Sequence, residues 1–215
     1  MKNMKTKISK TFSPAAFTLI ELLVVISIIS VLAGLIIGGL GAARNYQYRS
    51  TAKAELTLIQ AAIDDYQNKS GSYPPSNTND LSISPLYYEL SGATYNSSTT
   101  IYQTLDSAAS ITAANFFTAY KIGGIVNTTR GSGDDEKKAV NFLPGLKANL
   151  IESVASFGIP VTNLVSSVRG PDNPNTVNAF HYNSFNPTNN PSSYDLWVDL
   201  VIKGKTYRIG NWTAK

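Results

Sequence analysis

Apolar positions follow two different patterns in the first third of the chain. From Phe17 to Leu40 they are almost unbroken, and Glu21 is the only charged residue among them. A helix over this stretch would reach ~36 Å at ~1.5 Å per residue, enough for a bilayer core of ~30 Å. Further on, Ala52, Leu56, Ile59, Ile63 and Tyr66 recur at alternating steps of four and three, while Arg44, Arg49, Lys53, Asp64 and Asp65 lie off that line. Such spacing predicts a helix with one apolar stripe laid against a core. Gly71 offers a C-terminal stop, and Pro74-Pro75 prevents resumption.

Downstream the pattern breaks into short pieces. Ser84-Pro85 and Gly92 bracket a short predicted helix through Leu86–Leu90. A second short helix is expected over 101–108. Phe142, Leu146 and Leu150 fit a helical stripe that Pro144-Gly145 interrupts, and Phe157–Val161 reads as extended. The Asn- and Pro-rich stretch from Asp172 to Tyr194 reads as an irregular surface loop. The end is strand-rich. Trp197–Arg208 predicts a hairpin with Lys203-Gly204 as a two-residue turn. In that register Val198, Leu200 and Ile202 share one mainly apolar side, and Asp199 falls opposite Arg208.

Charge and composition narrow the function classes. The 215-residue chain has 18 Lys and Arg against 14 Asp and Glu, and Lys2, Lys5, Lys7 and Lys10 account for the whole excess. Without the first 16 residues the chain is formally neutral, so a basic nucleic-acid-binding surface has no compositional support. No Cys is present, which removes disulfides and thiolate chemistry. His181 is the only His and is expected to have a structural or surface role. Asp134-Asp135-Glu136, beside Lys137-Lys138, reads as a solvated turn rather than a metal site. No phosphate-binding Gly loop, paired His ligands or nucleophile–base pattern occurs, and neither enzyme activity nor a cofactor is expected. Asn127-Thr128-Thr129 has the form of a glycosylation sequon.

The basic segment 1–16 before an apolar run is a targeting signal that keeps its own end in the cytoplasm. Its small residues, Ala15-Ala16, precede the apolar run instead of following it. Cutting there would remove the lysines, keep the helix and free an amino group on Phe17, near Glu21. A carboxylate in a membrane segment costs about 2.5–3.5 kcal/mol at the bilayer centre, so Glu21 invites a functional reading.

The run Phe17-Thr18-Leu19-Ile20-Glu21-Leu22-Leu23-Val24-Val25 behind this leader resembles the type IV pilin and type II secretion pseudopilin family. The resemblance implies cleavage between Ala16 and Phe17 by a prepilin peptidase, N-methylation of Phe17, and pairing of Glu21 with the Phe17 amine of a neighbouring subunit. The family usually has Gly before the cut, where this chain has Ala16. Tyr73-Pro74, Tyr194–Trp197 and Ile209–Trp212 further resemble the major pseudopilin. Related major pseudopilins hold calcium between segments matching the last two; the hairpin reading gives this chain no metal there. Ser30, Gly34 and Gly38 are spaced for close helix approach. Gly38, Gly39 and Gly41 stand where many family members carry Pro. They read either as a point of helix flexibility or as the Gly common in membrane helices.

These observations predict an α+β pilin-like fold: a long N-terminal helix, its first half in the membrane, packed against a small C-terminal antiparallel sheet. The expected divisions are a leader (1–16), a transmembrane and assembly helix (17–40), its periplasmic continuation (41–71) and a globular domain (72–215). The expected role is a pseudopilus subunit for type II-like secretion, anchored once in the bacterial inner membrane with its C-terminal domain in the periplasm. Expected partners are other copies of the chain, minor pseudopilins, the prepilin peptidase/methyltransferase, the inner-membrane assembly platform and membrane lipid, with no nucleic acid. The alternatives are a type IV pilin for adhesion, motility or DNA uptake, and a membrane-anchored binding module.

Overall fold

A computed structural model describes residues 17–130, 136–170 and 175–212; for 36–40 and 42 it describes the backbone alone. The expected leader 1–16 therefore lies outside the described residues, as do Asp134 and Asp135. The chain divides into two compact units, Met1–Arg44 and Asn45–Lys215.

Helix α1 (Leu19–Ser70) has 52 residues. In the second unit its stripe is buried as the spacing requires: Ala52, Leu56, Ile59, Ile63 and Tyr66 are all closed to solvent, joined by Ala62. The helix stops at Gly71, which takes a left-handed φ of 78° while its N–H donates to the Gln67 carbonyl at 2.8 Å. Helix α2 (Leu86–Ser91) follows, with the Ser84 hydroxyl accepting from the Leu86 N–H. Pro85 occupies the cap position itself, so Ser84 acts from one residue further out. All six residues of α2 are buried.

Among the described residues the strands form three antiparallel sheets. The first joins β1 (Ala93–Asn96), β2 (Ile101–Thr104) and β3 (Ser110–Thr112). The helix expected over 101–108 is thus a strand and a turn. Ile101-Tyr102-Gln103-Thr104 is β-branched and aromatic enough to pair on both edges. Asp106 fixes the turn, accepting from the Thr104 hydroxyl and the Ala108 N–H. Helix α3 (Ala113–Tyr120) is capped by Thr112, and its Phe116 and Tyr120 pack with Tyr88 in an aromatic cluster.

Pro144-Gly145 turns the chain, as expected, and a 3-10 turn at Ala148–Leu150 leads into β4 (Ile151–Ser156). Its hairpin partner is β5 (Ile159–Leu164). Only part of the stretch expected to be extended is strand, because Phe157 and Gly158 form the hairpin tip, both with positive φ.

The third sheet has the order β6 (Phe180–Asn183), β7 (Asp195–Ile202) and β8 (Lys205–Gly210). β6 corrects the expectation of an irregular loop throughout 172–194. Phe180 and Tyr182 are buried and alternate with half-buried His181 and Asn183, a period-2 signal too short to stand out in an Asn-rich segment. The hairpin has the predicted register, with Val198 opposite Ile209, Asp199 opposite Arg208 and Ile202 opposite Lys205. Lys203 and Gly204 both have positive φ, as a primed two-residue turn demands. Leu196, Val198, Leu200 and Ile202 bury one face of β7 in the same core as the α1 stripe. The molecule is therefore α+β, with an N-terminal helix and small antiparallel sheets.

Glu89 on α2 is the least expected core residue, with no exposed surface. Its carboxylate accepts from the Val126 N–H at 2.8 Å, the Asn127 N–H at 3.0 Å and the Tyr66 hydroxyl at 3.1 Å. It thereby ties α1, α2 and the 125–128 segment together without a direct cation partner among the described residues. Burial raises its pKa, and the donated hydrogen bonds only partly offset that rise. A raised folded-state value makes this site's contribution to stability largest below the unfolded value, near 4.5, and smaller as pH climbs through the folded value. Glu89→Gln, which has no charge to bury but turns an NH2 toward a backbone N–H, should cost about 1–3 kcal/mol. Denaturant melts of the 45–215 unit should show that cost shrinking as pH rises above the ordinary Glu range, because only the parent pays for ionisation.

Candidate functional site

The N-terminal end of α1 carries the residues expected to act. Thr18 precedes the helix, and its hydroxyl accepts from the Glu21 N–H at 3.3 Å. The Glu21 carboxylate reaches back, accepting from the Thr18 N–H at 2.9 Å and the Thr18 hydroxyl at 2.7 Å. This is a reciprocal capping box, in which two otherwise unpaired ends satisfy each other. The sequence carries this signal as Thr18-x-x-Glu21. The box directs the carboxylate to the first turn, beside the residue that follows Phe17. Both hydrogen bonds use one carboxylate oxygen, and a carboxylate offers about four lone-pair sites. Capacity for a cation remains.

From Leu19 to Leu35 the side chains of α1 are exposed on every face, and the large ones, Glu21 apart, are Leu, Ile and Val. A helix apolar all round has no preferred inner side and needs an apolar environment from outside its own chain. The hydroxyls of Ser27 and Ser30 fold back onto the carbonyls of Leu23 and Ile26, so they present no unpaired donor. A Cβ added at Gly34 would meet nothing within 4 Å. The backbone is helical through Gly38, Gly39 and Gly41. Among the described residues no helix is long and apolar enough to cross a membrane. The expected run 17–40 ends in 36–40, whose side chains are not described.

The other sequence candidates are spread through the second unit. Asp195, almost fully buried, accepts from the N–H groups of Thr188, Asn189 and Asn190 and from the Asn189 side-chain amide, all within 2.8–3.0 Å. Asn211 joins the same knot, accepting from the Leu196 N–H and donating to the Tyr194 carbonyl. Asp199 is held by a two-pronged contact from Arg208, at 2.8 Å to each oxygen, and that hydrogen bonding lowers its pKa. His181 stacks on Trp197 at 4.9 Å, and burial lowers its pKa. No group of three or more His, Cys, Asp or Glu among the described residues could hold a metal ion. The sequon amide of Asn127 donates to the carbonyls of Glu89 and Val140, so this side chain works as an internal brace.

Residues 13–37 match the family model described as the prokaryotic N-terminal methylation motif. That motif supports the pilin and pseudopilin class and implies processing by a prepilin peptidase and filament assembly. No curated protein and no solved structure matches the chain.

The donors around Asp195 are N–H groups, and those around Asp199 belong to a guanidinium; both sets compete with a cation for the carboxylate. The 45–215 unit should therefore melt at the same temperature in chelator and in millimolar calcium. Asp195→Ala should lower stability equally in both by at least about 1–3 kcal/mol, the cost of one buried donor left unpaired. A calcium-dependent rise of many degrees, lost in Asp195→Ala or Asp199→Ala, would contradict this assignment.

Proposed function

We propose that this chain is a structural subunit of a pseudopilus, a periplasmic filament that serves type II-like protein secretion. The observation that carries the reading is the methylation motif at 13–37, with one carboxylate, Glu21, in an otherwise uncharged apolar stretch. In this reading a prepilin peptidase cuts between Ala16 and Phe17 and the new terminus is methylated. Residues 17–40 then cross the inner membrane, with the leader side in the cytoplasm and the domain in the periplasm. The pseudopilus is preferred to a type IV pilus because Tyr194–Trp197 and Ile209–Trp212 resemble the end of the major pseudopilin.

The physical logic of assembly follows from Glu21. A lone carboxylate in the bilayer carries a standing cost of about 2.5–3.5 kcal/mol at the centre and less near an end. Docking onto the Phe17 amine of a neighbouring subunit removes that cost and fixes the axial register of two otherwise featureless apolar helices. Gly38, Gly39 and Gly41 would let the helix bend or unwind as the subunit leaves lipid, since each Gly weakens a helix by about 0.8–1 kcal/mol relative to Ala. The partners are other copies of the chain, minor pseudopilins, the peptidase/methyltransferase, the assembly platform and lipid.

Two measurements test this. Intact mass and N-terminal sequencing of protein from the native host should show a chain beginning at methylated Phe17; a membrane pool that retains Lys2 to Ala16 would contradict it. Glu21→Val should insert, be cut and fold as the parent does, while sedimentable filament falls sharply. Undiminished filament in that variant would show that the charge is not needed for docking.

A further inference from the structure

The β4–β5 hairpin has an unusual tip. Phe157 sits in the left-handed region, φ 49°, next to Gly158 at φ 78°. A two-residue turn with both φ values positive favours Asn or Asp before Gly, and a bulky aromatic is disfavoured there. Phe157 gains no burial in exchange, because 69% of its surface is exposed. Backbone strain at an exposed apolar residue is a pointer to function.

The tip is part of a firm patch. Lys121 places its ammonium 5.2 Å from the Phe157 ring and 5.8 Å from the Phe117 ring, a cation held between two exposed aromatics. The Ser156 hydroxyl donates to the Ala119 carbonyl, locking the hairpin end to α3. Among the described residues no carboxylate pairs with Lys121.

At the other end of β4 lies an open groove of about 740 Å³ between α1 and the 142–150 segment. Leu58, Phe142, Pro144, Leu146 and Leu150 give it an apolar lining, and Glu55 supplies a carboxylate, with Lys147 also bordering it. Leu58 is half exposed. Glu55 is braced by the Ser166 and Ser167 hydroxyls, so its charge is held in place. The six-residue strand β4 separates groove from tip by about 20 Å, so a molecule cannot fill its own groove with its own tip.

We infer that the Phe117–Lys121–Phe157 patch of one copy docks in the α1/142–150 groove of a second copy, with Lys121 directed to Glu55. The two surfaces match in character: an apolar projection carrying one positive charge, and an apolar concavity in which the braced carboxylate of Glu55 stands with Lys147 at the border. Patch and groove are different surfaces of one molecule, so copies joined head to tail by this contact form a heterologous series, which runs on as an open polymer where the rotation between copies does not close. This contact deepens the filament reading above and rests on it.

The chain has no Cys, so paired cysteines report contacts cleanly. The full-length chain carrying both Leu58→Cys and Phe157→Cys is oxidised in native-host membranes, with filaments scored by sedimentation and microscopy. A ladder of disulfide-linked oligomers is expected. Each single variant, and Leu58→Cys combined with Phe185→Cys, should give none, and adding Lys121→Glu should lower the ladder by roughly tenfold or more through like-charge contact with Glu55. Filaments without the ladder would overturn the docking while leaving the filament reading intact; absence of both would overturn the two together. Phe157→Asn separates docking from folding. Relief of turn strain should keep or raise its melting temperature while filament yield falls, and a lowered melting temperature with unchanged yield would assign Phe157 to the fold and overturn the docking.

Discussion

The core of the second unit is built on the stripe and flanks of α1. Leu56, Ile59, Ile63 and Tyr66 form one wall of the core, and Leu196, Val198, Leu200 and Ile202 from the last sheet form another. Burying a Leu or Ile side chain contributes about 1.5–3 kcal/mol, so these residues dominate the favourable side of folding. Polar groups on the flanks then set direction. Tyr66 donates to Glu89, Asp64 accepts from Tyr194, Lys53 donates to the Gly210 carbonyl, and Glu55 takes the Ser166–Ser167 corner. A stripe alone would allow the sheets to slide along the helix. The flanking bonds remove that freedom.

With no disulfide available, the long connections are held by carboxylates that collect backbone N–H groups. Glu89 gathers the 126–127 segment, and Asp195 gathers three consecutive amides at 188–190. Charge-assisted hydrogen bonds are roughly twice as strong as neutral ones, so one carboxylate can organise a loop that offers no apolar side chain to the core. Aromatic packing fills the gaps between such anchors: Tyr73 meets Tyr194 edge-on, and the Tyr182 hydroxyl closes on the Pro74 carbonyl just past the helix. The price of Glu89 is a buried charge, which is why its burial raises the pKa.

What was legible in the sequence was whatever a local period could carry. The α1 stripe repeats over several turns, and the terminal hairpin has an alternating face, a Lys203-Gly204 turn and one complementary pair, Asp199 and Arg208; the observed register follows from these alone. The centre was illegible for an equally physical reason. β2 and β6 are four-residue strands whose side-chain alternation spans too few positions to compete with flanking Asn, Ser and Pro. Their pairing is decided by partners distant in the chain. Glu89 and Asp195 do not stand out in the sequence as core groups, because a carboxylate reads as surface until the donors that offset its burial are known, and most of those donors are backbone N–H groups. At the candidate site the balance reverses: the charge of Glu21 stands out in an apolar run, while the Thr18 cap is a local and ordinary signal beside it.

The two stretches of α1 differ in how much they specify. Residues 45–70 have a stripe, flanking charges and a core that selects one arrangement. Residues 19–35 are apolar on all faces and would pack against any similar helix with little preference for rotation or axial shift. A filament built on such helices needs its geometry set by something directional. One proposed source is the Glu21 carboxylate, a single point that fixes height but not angle. A point contact and a featureless rod leave rotation free, and an ordered polymer does not tolerate that freedom. A second contact away from the axis removes it, and a strained, exposed aromatic at a hairpin tip is the kind of feature that folding alone gives no reason to keep.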